Sequence, residues 1–149
     1  MRYPAVLVAV GSLAGLVSVG CGSTPGPMAT PILSVAGTYQ TAVSLLQSTC
    51  VGTVVQTFPT IVTHTPGAST LSVTHAGSVY TGTVSADASF RTPAAPFVIS
   101  GVTYQIGIVG QFALTTMDAT VTVQAGVQPP CQFTARWVGP KTGAPNVIP

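Results

Sequence analysis

The sequence predicts an all-β fold, an antiparallel meander of about eight strands closed as a small barrel. Short alternating runs rich in Val, Thr, Tyr and Phe extend from about residue 32 to residue 138. No part of that region has the apolar period of a helix. Turn residues separate the runs at short intervals, as in sequential hairpins. The length of 149 residues suits one domain.

The N-terminal segment predicts export. Arg2 gives a positive start, and an apolar run follows from Ala5 to Val19. This run is too short for a transmembrane helix, which needs about 20 apolar residues. Residues 1–20 are therefore expected to be a signal peptide.

The end of this segment, Val17, Ser18, Val19, Gly20 and Cys21, resembles the lipobox of bacterial envelope lipoproteins. The resemblance implies that Cys21 carries a diacylglyceryl group and becomes the first residue after cleavage. Ser18 departs from the family, which usually has Leu there. Ordinary signal peptidase cleavage is the alternative, because Ser18 and Gly20 also fit its pattern of small residues.

The cysteine count supports lipidation. Cys21, Cys50 and Cys131 make three, and an odd number in an exported protein needs an explanation. A lipid on Cys21 leaves Cys50 and Cys131 to form a disulfide in an oxidising compartment. Closing a loop of about 80 residues contributes ~4 kcal/mol in the chain-entropy treatment. Two buried free thiols are the alternative.

Composition then divides the rest of the chain. Residues 21–33 are expected to be a flexible tether, because the stretch GSTPGPMATP holds three prolines and two glycines. A β-domain is expected over residues 34–140 and a flexible tail over residues 141–149.

Two strands open the β-domain, over residues 37–46 and 60–64. The facing of the second strand depends on the loop after it. A three-residue loop would turn Ile61 and Thr63 inward, whereas a four-residue loop would turn the even-numbered residues inward.

Four hairpins keep apolar partners on one face of the sheet. Their turns are expected at Ala76 and Gly77, at residues 86–88, at Gly110, and between Ala125 and Pro130. The corresponding pairs are Val73 with Tyr80, Val84 with Phe90, Ile108 with Phe112, and Val123 with Cys131.

The meander is expected to close as a barrel, with a β-sandwich as the alternative. Gly37, Thr38 and Tyr39 on the first strand, with Arg136 and Trp137 on the last, resemble the ends of lipocalin-like chains. That likeness favours a barrel that holds a ligand. The inward aromatic residues would either line such a cavity or fill the interior. They are Tyr80, Tyr104, Phe112 and Trp137.

Charged residues are few, with 4 Lys+Arg and 2 Asp+Glu. Scattered cations in this number cannot form a nucleic-acid interface. The two carboxylates, Asp87 and Asp118, are expected in turns, where Asp binds backbone amides. His64 and His75 are expected at the surface or rim. They lie about 13–16 Å apart along their ladder, too far to share a metal ion.

These observations predict no catalytic residues, no metal and no cofactor. We expect a lipid-anchored protein of the bacterial cell envelope, held to a membrane through Cys21, that is not an enzyme. It would act as a structural or interaction module with an envelope protein as partner. One alternative is a carrier of a small apolar ligand. Another is a protease inhibitor that presents residues 91–97 (RTPAAPF) as a loop.

Overall fold

The structure, a computed structural model, describes residues 29–127 and 129–149. The expected signal peptide and Cys21 lie outside the described residues. Within them the chain forms strands and loops without any helix. The strands are β1 (Gly37–Tyr39), β2 (Ala42–Ser48), β3 (Thr60–His64), β4 (Thr70–His75), β5 (Ser78–Val84), β6 (Ser89–Ile99), β7 (Val102–Phe112), β8 (Thr116–Ala125) and β9 (Cys131–Thr142).

The strands form one antiparallel sheet in the order β1-β3-β4-β5-β6-β7-β8-β9-β2. Strand β1 also pairs with β9, which closes eight strands into a barrel and leaves β2 as an extra strand on β9. The predicted all-β barrel is therefore confirmed, and the sandwich alternative is not formed.

The seam of the barrel depends on a bend between β1 and β2. Strand β1 pairs with both β3 and β9, whereas β2 continues along β9 alone. Gly139 faces this bend, and a Cβ there would lie 2.3 Å from the carbonyl oxygen of Gln40. Only glycine allows the two backbones to approach so closely.

The two ends of the barrel differ. The loops β3–β4, β5–β6 and β7–β8 lie at what we call the closed end. The turns β4–β5, β6–β7 and β8–β9 lie at the open end, together with residues 49–59. Strand β1 joins β3 to β9 only near the closed end. Beyond β1, towards the open end, β2 pairs with β9 but not with β3.

The packed core occupies the closed half. Phe112 stacks on Phe90 with ring centroids 4.5 Å apart and contacts Tyr39 at 5.5 Å. Gly110 makes room for this cluster, because a Cβ there would lie 2.6 Å from Phe90 Cε1. The largest fully buried side chains are Tyr39, Phe112, Ile108, Met117, Val35, Val73, Thr41 and Thr60.

Residues before β1 and residues after β9 cover the closed end. Ser34 forms a β-bridge with Val147, and the flanking Leu33 and Val35 are buried. Asn146 is buried as well, and its Oδ1 lies 2.9 Å from the Tyr39 hydroxyl.

These contacts differ from the expected domain limits. Leu33 belongs to the core instead of a tether, and β9 continues to Thr142 beyond the expected limit at residue 140. Residues 146–148 then pack back on the domain in place of a free tail. Short irregular segments carry no period that reveals such burial.

Several predicted registers are confirmed. Val73 faces Tyr80 across the turn at Ala76 and Gly77, and both turn residues have positive φ, as type I′ geometry requires. Val84 faces Phe90. In the first hairpin the even-numbered residues of β3 are buried, which is the facing of the four-residue alternative, but the loop spans residues 65–69 and Val62 lies opposite Val73.

Two registers were wrong. No turn occurs at Gly110: β7 runs through it, the loop to β8 spans residues 113–115, and Phe112 faces Met117. Glycine serves there for close packing instead of chain reversal. In the last hairpin Val123 faces Phe133, two residues away from the predicted partner, Cys131. A two-residue shift keeps every side chain on its face, so alternation alone could not exclude it.

Candidate functional site

The barrel interior continues at the open end as a cleft of about 620 Å³. Its floor is formed by Val123, which is also part of the buried core, and by Ile106, which is half-buried beside it. Tyr104 and Phe133 extend the apolar wall. The remaining lining residues are Thr49, Cys50, Val51, Thr53, Val54, Ile99, Ala125, Val127, Pro129, Pro130 and Cys131.

A disulfide fixes one wall of the cleft. Cys50 and Cys131 are joined with their Cα atoms 5.1 Å apart and 81 residues of separation, which confirms the predicted pair. Thr49 N donates to the Gln132 carbonyl at 2.8 Å, and Gln132 N donates to Thr49 Oγ1 at 2.9 Å. The disulfide and these two hydrogen bonds hold the start of the loop after β2 against β9.

The four aromatic residues expected around a cavity do not lie together. Tyr104 lines the cleft. Phe112 is in the core, and Trp137 is buried with its ring stacked on His75 at 3.9 Å. Tyr80 is half-buried against the core, where desolvation raises the pKa of its hydroxyl.

Sequence reasoning missed the loop contribution to this cleft, made by Val51, Val54 and Ile99. These residues lie in a loop and at a hairpin tip, where alternation gives no facing. The available signal was the position of Val51 and Val54 directly after Cys50, whose disulfide fixes the loop against β9.

Both histidines are buried, which corrects the expectation that they lie at the surface or rim. His75 Nδ1 lies 2.9 Å from Thr60 Oγ1, and burial lowers the pKa of the imidazole. His64 Nε2 lies 2.9 Å from the Ala68 carbonyl. The even-numbered residues of β3 and the odd-numbered residues of β4 face inward, which buries His64 and His75. Polar partners inside the barrel satisfy both rings.

The two carboxylates have separate structural partners. Asp87 accepts hydrogen bonds from Ser89 N at 3.0 Å and Ser89 Oγ at 2.7 Å, which lower its pKa. Asp118 forms a two-point ion pair with Arg136, including Nε to Oδ1 at 3.0 Å, and its pKa is also lowered. Asp118 lies in β8, not in the predicted turn. In the described ranges, no three His, Cys, Asp or Glu side chains cluster as metal ligands.

The segment 91–97 does not form the loop that a protease inhibitor would present. It lies inside β6 and pairs with β7, with a bulge between Thr92 and Ala95. The prolines are accommodated at and beside this irregularity, as is usual for proline in sheets.

A second depression, of about 470 Å³, lies on the outer wall near the open end. Gln105, Gln124 and Gln132 line it from three neighbouring strands. Amide side chains on an outer wall are ordinarily solvated. The inner cleft is the better candidate site because apolar side chains enclose it on several sides.

Comparisons with protein-family models, curated proteins and solved structures gave no match. Among the described residues, no helix has the length and apolar character needed to cross a membrane.

Proposed function

We propose that this protein is a lipid-anchored envelope protein that binds a small apolar ligand in the open end of its barrel. The observation that carries the proposal is the cleft of about 620 Å³, which is within the usual range of about 300–1,000 Å³ for ligand sites. None of the described residues that line the cleft is charged, so the ligand class is neutral and apolar. The fixed loop at Cys50 supports binding without prior rearrangement.

A neutral fluorescent probe, N-phenylnaphthylamine, tests the binding. Saturable enhancement is expected on titration into the full chain. Ile106→Gln places an amide in the cleft and should weaken binding by about tenfold. Val109→Gln, three residues along β7 on the exposed outer wall, is the matched control and should bind as the parent does. Equal affinities for the two variants, or no saturation, would contradict the proposal.

A second variant guards against loss of folding. Val54 lines the cleft but is 81% exposed, so Val54→Asp leaves the core intact while placing a charge at the opening. We expect weaker probe binding, with unchanged binding in Val79→Asp on the outer wall.

The anchoring part of the proposal rests on the lipobox-like residues before Cys21. Cells labelled with a tagged fatty acid should incorporate it into the parent protein and not into Cys21→Ser. The double variant Cys50→Ser/Cys131→Ser is the control and should keep the label. Equal labelling of Cys21→Ser and the parent would refute the anchor without affecting the cleft.

A further inference from the structure

The open end of the barrel carries exposed apolar side chains on both sides of the cleft. Val51 and Val54 belong to the loop fixed by the disulfide, and Val98 and Ile99 form the tip of the β6–β7 hairpin. We call these four residues the rim. Each is at least half exposed, and Val51, Val54 and Ile99 also line the cleft. The rim is therefore continuous with the apolar interior.

The other exposed large apolar side chains do not line the cleft. They lie on β2 (Leu45 and Leu46), before β3 (Phe58), on β3, β5 and β7 (Ile61, Val79 and Val109), and near the closed end (Ile32, Leu114 and Val147). Ile61 and Val79 are separated by Thr74 on the strand between them. Val109 faces Arg91 on one side and Thr120 on the other. Isolated residues of this kind are normal on a protein surface, whereas a continuous patch around an opening indicates an interaction surface.

Charged side chains, in contrast to the apolar rim, lie away from the open end. The stretches 42–86, 92–117 and 119–135, which supply every strand end at the open end, contain no Asp, Glu, Lys or Arg. Asp87, Arg91 and Lys141 lie towards the closed end. Arg136, at the middle of β9, is bound to Asp118 near the start of β8. The open end is thus neutral as well as apolar.

We propose that the rim seats on the surface of a lipid bilayer with zwitterionic headgroups, so that the cleft opens towards the hydrocarbon. A neutral rim matches a bilayer without net charge, because it offers no cations for anionic lipids and nothing to repel zwitterionic ones. The attraction is burial of apolar side chains, so the docking is insensitive to salt. It does not depend on whether the cleft is occupied.

Tryptophan quenching tests which surface touches the membrane. The full chain, reconstituted with its own N-terminal segment, is mixed with phosphatidylcholine vesicles whose acyl chains carry bromine. Ile99→Trp reports on the rim, and Ile61→Trp is the control, because the two isoleucines are 50% and 49% exposed. Both proteins share Trp137, which is buried, so its emission cancels in the comparison. Any membrane attachment by the N-terminal segment is also common to both.

The docking predicts loss of emission for Ile99→Trp in proportion to the brominated fraction, with no loss for Ile61→Trp. Adding Val51→Lys and Val54→Lys to Ile99→Trp should reduce the docked fraction by about tenfold, whereas adding Val79→Lys should leave it unchanged. The result should be the same at low and high salt.

Other outcomes would overturn docking. Equal quenching of the two reporters would mean that no particular face is presented, and absence of quenching in both would mean no contact. Quenching that requires anionic lipid would indicate electrostatic binding. Self-association that the lysine substitutions abolish, without quenching, would assign the rim to a second copy of this chain. Probe binding by the soluble protein is measured without vesicles, so failure of docking and failure of ligand binding are separate results.

Discussion

Gly110 gives the sharpest test of the barrel, because the sequence predicts a turn there, whereas the structure has Gly110 inside β7, two residues before that strand ends at Phe112. A Cβ at this position would lie 2.6 Å from Phe90 Cε1, 2.7 Å from Ala119 Cβ and 2.7 Å from the Asp118 carbonyl oxygen. Carbon atoms normally pack at about 3.5–4.0 Å. The oxygen belongs to the neighbouring strand, so it cannot move aside without disturbing the pairing of β7 with β8.

The magnitude for Gly110→Ala follows from two opposing effects. Overpacking in a filled core costs about 1–3 kcal/mol. Replacing glycine by alanine within a strand returns about 0.5–1 kcal/mol through the lower entropy of the unfolded chain. Three simultaneous overlaps favour the upper end of the cost. We expect a net loss of about 2 kcal/mol in the free energy of unfolding.

Gly107→Ala is the matched control on the same strand. Its Cβ would lie 3.7 Å or more from the nearest atoms, those of Ala94, which is ordinary contact. That variant should be as stable as the parent or slightly more stable. Urea unfolding followed by the emission of Trp137, the single tryptophan, measures both. Equal stability of the two alanine variants would refute the close packing of β7 against Phe90.

Four further predictions concern the disulfide and the buried polar groups. Cys50→Ser/Cys131→Ser should lose about 4 kcal/mol in urea unfolding, and a variant as stable as the parent would show that the closed loop does not constrain the unfolded chain. Tyr39→Phe removes a hydroxyl close to Asn146 and should cost about 1–2 kcal/mol. Because burial raises the pKa of Tyr39 to about 12, spectroscopic titration should show its ionisation above the ordinary value, and a normal titration would contradict the buried placement. Burial lowers the pKa of His75, so the unfolded chain binds a proton on this imidazole more readily than the folded protein does. The free energy of unfolding should therefore decline as pH falls below the unfolded pKa of about 6.5. If His75→Gln has the same pH dependence of stability as the parent, His75 is not the cause of that decline.

The sequence could predict the fold class because buried and exposed positions alternate along most strands, with β2 and the second half of β6 as the exceptions. Hairpins were placed correctly where the turn chemistry was local, as at Ala76 and Gly77. The turn predicted at Gly110 is wrong because this glycine allows close packing inside a strand. The pairing after Ala125 is wrong because a register shifted by two residues leaves every side chain on the same face of the sheet. Burial of Leu33 and Asn146 could not be predicted, because both lie in irregular segments whose contacts are made with distant parts of the chain.

The candidate site could be predicted only in part, for a related reason. Alternation assigns Tyr104, Ile106 and Phe133 to the interior, but it does not tell where the filled interior ends. The filled part of the interior ends where β1 stops pairing with β3, because β2, which follows β1, does not pair with β3. The cysteine count located the bridge that holds the cleft wall, since Cys50 and Cys131 form the disulfide that the odd third cysteine implied.

The core and the cleft meet at Val123 and extend from there towards opposite ends of the same barrel, and this has a consequence for protein engineering. Ile108 is fully buried in the packed half, whereas its neighbour on the same face, Ile106, is only half-buried at the cleft. Substitutions in the cleft should therefore cost less stability than equivalent changes in the core. Lining residues such as Ile106 and Val54 can be randomised as a library on an otherwise constant scaffold.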